Sequence, residues 1–286
     1  MKEGGLEKRK RDDQVMYTRH SNAGYKTYEK ILASDEPLAH LNPEEQVTPD
    51  LSEKGIEFAK SEAEKLFNSL DPQTDELFFV SSGQARALET AVIYRDVARS
   101  KGFDVIAPSN VRSEFASTIG GGDIRVLRNL SLDNTVIMAE SVFNPDRTMP
   151  SINWDAVAAQ DPDLKERWER ARAIVQQHDY GSWGANMFHH AAAVKEIFPE
   201  VETSEERYEK QFRNLQRLAE FGLRKAVASG MEKHLKILAF GHEDYIGHAL
   251  SKYFKEHEIK NCETIVFRPD EAGGLTLERR GEKASL

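Results

Sequence analysis

The sequence predicts an α/β protein in three layers: a mainly parallel sheet with helices on both faces and an inserted, lid-like segment. Two observations lead there. Short apolar runs of strand length alternate with longer stretches whose apolar residues recur at helical spacing. Three of the apolar runs also lead into small, polar and cationic residues, at the strand ends where open α/β sheets place ligand chemistry.

Met1 to Asp13 is polar and charged with no apolar signal core, and is expected to be a disordered tail. Its Lys8-Arg9-Lys10-Arg11 run is short and has acidic neighbours, which reads as solvated chain rather than a localisation or nucleic-acid patch. The first strand, Gln14-Val15-Met16-Tyr17-Thr18, ends at Arg19-His20 and a turn-prone Ser21-Asn22-Ala23-Gly24. After a polar connection to Gln46, Asp50 to Leu70 reads as an amphipathic helix through Ile56, Ala59, Ala63, Leu66, Phe67 and Leu70. Asp50 and Glu53 suit a capping box at its start. A strand at Leu77–Ser81, a helix at Gln84–Ser100 and a short strand at Val105-Ile106-Ala107 follow.

Residues 115 to 204 hold Gly120-Gly121-Gly122, much polar sequence and a helical stretch, Asp163 to Gln177. This segment is expected to be an insertion that shapes a pocket above the strand ends. Glu205 to Ala228 reads as a long helix with Tyr208, Phe212, Leu215, Ala219 and Leu223 on one face. Strand Leu235–Phe240, helix Asp244–Lys255 and strand Thr264–Phe267 complete the pattern. Residues 14–286 are therefore expected to form one domain with an insertion at about 115–204. No internal repeat or low-complexity segment interrupts it.

Composition narrows the function. Hydrophobic residues at 39% and charged residues at 30% suit a soluble globular protein, and no apolar run is long enough to span a bilayer. A formal net charge of -9 argues against general nucleic-acid binding. The single Cys262 excludes an intrachain disulfide and fits a reducing, cytoplasmic compartment, with a structural role expected for the thiol.

Against that acidic background, three strand ends are cationic. Arg19-His20 joins a guanidinium, which can grip phosphoryl oxygens in bidentate fashion, to an imidazole whose neutral ring nitrogen is a nucleophile near pH 7. Phe79-Val80-Ser81-Ser82-Gly83-Gln84-Ala85-Arg86 runs from a strand into a helix, with Arg86 in the first turn, where backbone N–H groups favour anions. Ala239-Phe240-Gly241-His242-Glu243-Asp244 places a second histidine after a glycine that permits close backbone approach.

These motifs, in this order and spacing, resemble the histidine phosphatase superfamily, which includes the cofactor-dependent phosphoglycerate mutases. Thr48-Pro49-Asp50-Leu51-Ser52-Glu53-Lys54-Gly55 resembles the family's turn into the first helix. The resemblance covers residues 14–101 and 235–267. Ser21, Gly83-Gln84 and Glu243 depart from the family's common residues but leave the phosphate ligands in place. The architecture resembles the branch that contains the mutases and small-molecule phosphatases.

The expected activity is metal-independent hydrolysis of a phosphate monoester through a phosphohistidine on His20, with no cofactor and a small phosphorylated molecule as partner. Arg19 and Arg86 would disfavour a proton on His20 and stabilise charge on the transferring oxygens. The residues alone leave the two histidines interchangeable; the resemblance gives attack to His20 and phosphate binding with transition-state stabilisation to His242. A leaving alkoxide needs an acid. Glu114, past the third strand, is preferred, and Glu243, directly after His242, competes for the role. Asn22 and Glu243 join Arg19 and Arg86 as substrate-binding candidates, and Tyr25 and Lys26 can line the mouth. Ser81 and Ser82 are read as caps of the following helix.

No metal site is expected: adjacent His189 and His190 point in different directions and lack a suitably spaced partner. Gly120–Gly122 lacks the following Lys-Ser/Thr of a phosphate-binding loop. A phosphoglycerate-type mutase is the second reading and a non-catalytic phospho-ligand or protein-binding domain the third. Oligomeric state is not legible.

Overall fold

The computed structural model describes residues 11–24, 51–106, 124–126, 142–143, 159, 161–228, 230–269 and 275–286. Glu114, Tyr25, Lys26, Gly120–Gly122 and most of the expected tail lie outside the described residues.

The strands are β1 (Gln14–Arg19), β2 (Asp75–Ser81), β3 (Asp104–Val105), β4 (Ile124–Val126), β5 (His234–Gly241), β6 (Thr264–Pro269), β7 (Leu275–Arg279) and β8 (Glu282–Ser285). They form one eight-stranded sheet in the order β3-β2-β5-β1-β6-β7-β8, with β4 also pairing along β2. The pairs among β1, β2, β3, β4 and β5 are parallel, and β6, β7 and β8 continue the sheet antiparallel. The fold is thus α/β with a mainly parallel core.

Helices α1 (Glu53–Asn68) and α2 (Ala85–Ser100) cover one face. Their Ala59, Ala63, Phe67, Leu88, Ala91 and Tyr94 pack on Leu77, Phe79, Leu238 and Phe240. The neighbouring strand residues Phe78, Val80, Ile237 and Ala239 turn the other way. There they meet α5 (Ser204–Ala228) and α6 (Gly247–Phe254) through Tyr208, Leu215, Ala219, Ala249 and Leu250. A strand buried on both faces needs apolar residues at every position, which is why these runs show no alternation.

The stretch expected as an insertion supplies β4 to the sheet, and its helices α3 (Leu164–Gln177) and α4 (Trp183–Lys195) share a separate apolar cluster with Phe143 and Phe198. No helix among the described residues is long and apolar enough to cross a membrane.

Several expectations are corrected. The first helix starts at Glu53, not Asp50, because Ser52 Oγ caps it by accepting the Gly55 N–H at 3.1 Å. The helix expected from Asp244 to Lys255 is split into a 3₁₀ turn, Glu243–Tyr245, and α6. Asp244, Tyr245 and Ile246 are all buried; three consecutive residues span too much of an α-helix's circumference to share one face, and the tighter turn aims them separately. The β7–β8 hairpin was not expected. Its Arg280-Gly281 turn has φ values of 49° and 85°, the left-handed pair of a type I′ hairpin turn.

Candidate active site

The register brings three strand ends level. Arg19 pairs with Gly241 and Ser81 with Phe240, so His20, Ser82 and His242 leave neighbouring strands side by side. Backbone bonds run past the strand ends, from His20 N–H to Gly241 O at 3.0 Å and from Ser82 N–H to Phe240 O at 2.9 Å.

His20 is 5% exposed. Its Nδ1 lies 2.6 Å from the Ser21 carbonyl oxygen, which can only accept, so Nδ1 carries the proton. Nε2 then bears the lone pair, and it accepts a hydrogen bond from Arg86 Nε at 3.2 Å. Burial, then Arg86 and Arg19, hold the His20 pKa well below its ordinary value, against the opposing Ser21 hydrogen bond. The ring is neutral at pH 7, with a defined tautomer.

The turn that holds His20 is fixed by its neighbours. Ser21 Oγ donates to Gly55 O at 2.7 Å, and Ser21 N–H donates to Thr90 Oγ1 at 3.1 Å. A Cβ at Gly55 would lie 2.1 Å from Asn22 O, so only glycine lets α1 sit this close to the turn. Ser52 N–H also donates to Asn22 O at 3.0 Å, and the Asn22 amide meets Asn261.

His242 lies beside His20, with ring centroids 5.1 Å apart. Its Nε2 is 2.8 Å from Ser82 Oγ, while Nδ1 is buried with no hydrogen-bond partner. Burial, then Arg86, His20, Arg19 and Arg207, push its pKa well down. Tyr17 pins its backbone: the phenol donates to His242 O at 2.7 Å and accepts from His242 N–H at 2.8 Å. A Cβ at Gly241 would lie 2.3 Å from that phenol oxygen.

Two carboxylates follow. Glu243 Oε2 pairs with Arg19 Nη2 at 3.0 Å, and Asp244 Oδ2 with Arg207 Nη1 at 2.7 Å. Burial raises the Glu243 pKa to about 6; Arg19 opposes the rise, and Asp244 and Glu258 add to it. The first turn of α4 packs on Glu243, since a Cβ at Gly184 would lie 2.7 Å from its carboxyl carbon.

The structure therefore brings His20, Arg86 and His242 into one buried cluster, with Arg19 held at its edge by Glu243 and the Ile259 carbonyl. Asn22 sits on the adjoining turn, and Glu114 lies outside the described residues. The reading of Ser81 and Ser82 as helix caps is corrected. Gln84 is the N-cap of α2, without a side-chain bond. Ser81 Oγ donates to Ser82 O, and Ser82 Oγ is nearer His242 than the Gln84 N–H, at 2.8 against 3.4 Å. Sequence reading missed Tyr17, whose inward position on β1 marks only a core residue, and Arg207, one of many charged residues on α5. Among the described residues no group of His, Cys, Asp and Glu is placed to hold a metal ion.

No family model and no curated protein matches the chain. Solved structures do resemble it. A phosphoglycerate mutase from Bacillus anthracis str. Sterne is 13% identical over 96% of this chain and 92% of its own, with a TM-score of 0.45. Phosphoserine phosphatase from Entamoeba histolytica, in complex with 3-phosphoglyceric acid, is 12% identical over 94% and 97%, with a TM-score of 0.42. A mycobacterial glucosyl-3-phosphoglycerate phosphatase complexed with VO3 is 14% identical over 94% and 98%, with a TM-score of 0.41. These likenesses are too low to assign chemistry, which has to come from the residues.

Proposed function

We propose that this protein is a metal-independent phosphatase that hydrolyses the phosphate monoester of a small molecule through a phosphohistidine on His20. The observation that carries the reading is the state of His20: buried, neutral, with its proton held on Nδ1 by the Ser21 carbonyl and its Nε2 lone pair facing Arg86 beside His242.

In the first step Nε2 attacks phosphorus and the bond to the ester oxygen breaks, the electron pair leaving with that oxygen, which takes a proton from a carboxylic acid. In the second, water attacks the phosphohistidine. The P–N pair returns to Nε2, and the proton of the water passes to the same carboxylate, now a base. A phosphoryl group entering between His20 and Arg86 takes the Arg86 N–H for its own oxygen and frees the lone pair. His242, with an unpartnered Nδ1 and a ring held by Ser82, binds the same oxygens once the arriving dianion raises its pKa and it takes up a proton from solvent.

For the acid, the raised pKa of Glu243 favours that residue: a value of about 6 suits a group that gives and retakes a proton near neutrality. Glu114 remains the competing assignment.

The test is a panel of phosphate esters with chelator present, read as released inorganic phosphate. Turnover should survive the chelator, and His20→Ala should abolish both turnover and an acid-labile label trapped during reaction. Label that moves to a new position on the ester instead of appearing as phosphate would make the protein a mutase. Glu243→Gln should slow alkyl esters by roughly 10²–10⁴-fold and aryl esters much less, because an aryl oxide leaves without help. The same pattern in Glu114→Gln, with Glu243→Gln indifferent, would move the acid to Glu114.

A further inference from the structure

The C-terminal hairpin, which contributes no residue to the cluster around His20, is tied to it through the loop between α6 and β6, gripped by the buried Arg279 and the exposed Arg280. Arg279, the last residue of β7, is 3% exposed. Its guanidinium reaches three points on the loop between α6 and β6. Nη1 pairs with Glu256 at 2.8 Å, Nη2 donates to Glu258 O at 2.6 Å, and Nε meets Glu263 Oε1 at 2.9 Å. Arg280 and the Lys260 N–H add further donors to Glu263. Burial works against charge on Glu263, yet these donors hold its pKa below the ordinary carboxylate range.

The inner side of the same loop holds Arg19. The Ile259 carbonyl accepts from Arg19 Nη1, Cys262 N–H donates to Arg19 O at 3.0 Å, and Arg19 N–H donates to Glu263 O at 3.2 Å. The loop's Asn261 also meets Asn22, two residues past His20. Arg19 in turn faces Glu243 at 3.0 Å: burial raises the Glu243 pKa, Arg19 lowers it, and Asp244 and then Glu258, on the same loop, add to the rise.

We infer that Arg279 is a positioning residue: by clamping the Glu256–Glu263 loop from outside, it keeps the Ile259 carbonyl where it aims Arg19 at Glu243, and so sets the proton affinity of Glu243. A guanidinium is required because its fork addresses two carboxylates and a carbonyl at once, which an ammonium on a flexible stem does not. The inference rests on the phosphatase reading only for the roles of Arg19 and Glu243.

The test reads Glu243 directly, by ¹³C NMR titration of glutamate-labelled protein, with the resonance assigned by its loss in Glu243→Gln. In Arg279→Met the loop keeps only the exposed Arg280 pairs to Glu256 and Glu263 and loses the buried fork; Arg19 drifts from Glu243, and the Glu243 midpoint should rise by roughly one unit. Arg279→Lys should move it in the same direction by less. Arg268→Met is the control: Arg268, on β6, pairs with Glu278 of the hairpin at 3.1 Å and with Asp12 before β1, away from the loop. It should lower the melting temperature and leave Glu243 at its wild-type midpoint. If Arg279→Met loses thermal stability while Glu243 titrates as in wild type, or if Arg268→Met moves Glu243 equally, the inference is overturned. Should Arg279→Met not fold, a wild-type midpoint in Arg279→Lys overturns it. This readout needs no turnover, so a wild-type protein inert toward every ester sinks the phosphatase reading and leaves the clamp to be decided by the titration.

Discussion

Replacing Glu243 with glutamine should make the protein more stable at pH 8 than it is with its own residue. Ionisation of Glu243 in the folded protein is disfavoured by burial, despite Arg19, and its pKa stands at about 6 against an ordinary 4.5. At about 1.4 kcal/mol per unit that gap is about 2 kcal/mol of linked free energy. Its side chain is 11% exposed, so solvent screening removes little of it. The folded state binds more protons than the unfolded chain between the two values. The contribution is therefore fully present below about pH 4.5 and lost as pH rises through about 6. Glutamine mimics the protonated carboxyl and does not titrate. Urea denaturation of both proteins from pH 4 to 8 gives two stability curves, and their difference cancels the groups they share. That difference should move by about 2 kcal/mol in favour of Glu243→Gln across the window. A difference that stays flat, or that moves toward the wild type, would mean that Arg19 overcomes burial, and would remove the reason for choosing Glu243 as the acid. On the proposed activity the same group sets the alkaline limb of the free protein: kcat/KM for an alkyl ester should fall above about pH 6 as Glu243 loses its proton. His20, held well below its ordinary value, should add no acid limb near 6.5.

Tyr17→Phe removes both hydrogen bonds on the His242 backbone and leaves a buried N–H and C=O unpaired; denaturant unfolding should show a loss of roughly 2–4 kcal/mol, with slower ester hydrolysis as His242 shifts. Gly55→Ala forces a methyl against the Asn22 carbonyl, and should cost about 1–3 kcal/mol while slowing turnover through the displaced His20 turn, both read on the purified variant. Lys236→Met deserts the buried Asp75 and its neighbour Asp12 at the far end of β5; unfolding should register about 3–5 kcal/mol, whereas the pH profile of the surviving activity should stay where it was.

The core strands were legible because burial on both faces favours long apolar runs, and β1, β2 and, past the ion-paired Lys236, β5 show them. The meeting of His20, Arg86 and His242 was legible for a related reason. Each follows the C-terminal end of one of those strands, and adjacent parallel strands bring such ends together. Other features carry no local signal. Which hydroxyl caps α1 depends on the close approach of Gly55 to Asn22, a contact between segments far apart in sequence. Ser82 looks like a cap because serine before a helix usually is one; only β5 lying beside β2 puts His242 within its reach. Arg207, Arg279 and Tyr17 act through partners 37, 16 and 225 residues away, and no periodicity in a single chain encodes such pairs.

The placement of the two acids after His242 follows from what a neutral histidine needs. Arg86, Arg19 and, for His242, Arg207 help suppress protonation of the imidazoles. Buried cations without counter-charges would be prohibitive to desolvate. Glu243 and Asp244 leave the strand end in succession, and the 3₁₀ turn sends them apart, one to Arg19 and the other to Arg207. Two cations beside the histidines are thus balanced from a single short turn. The two acids are not equivalent. Asp244 pairs with a guanidinium whose side chain is 7% exposed, and it lies at 2% itself, whereas Glu243 meets the more open Arg19 at 24%. The closed pair is fixed as structure. In the open pair of the proposed phosphatase, Arg19 can exchange Glu243 for a phosphoryl oxygen, and the carboxyl so released rises further in pKa, toward the protonated form that a leaving alkoxide requires.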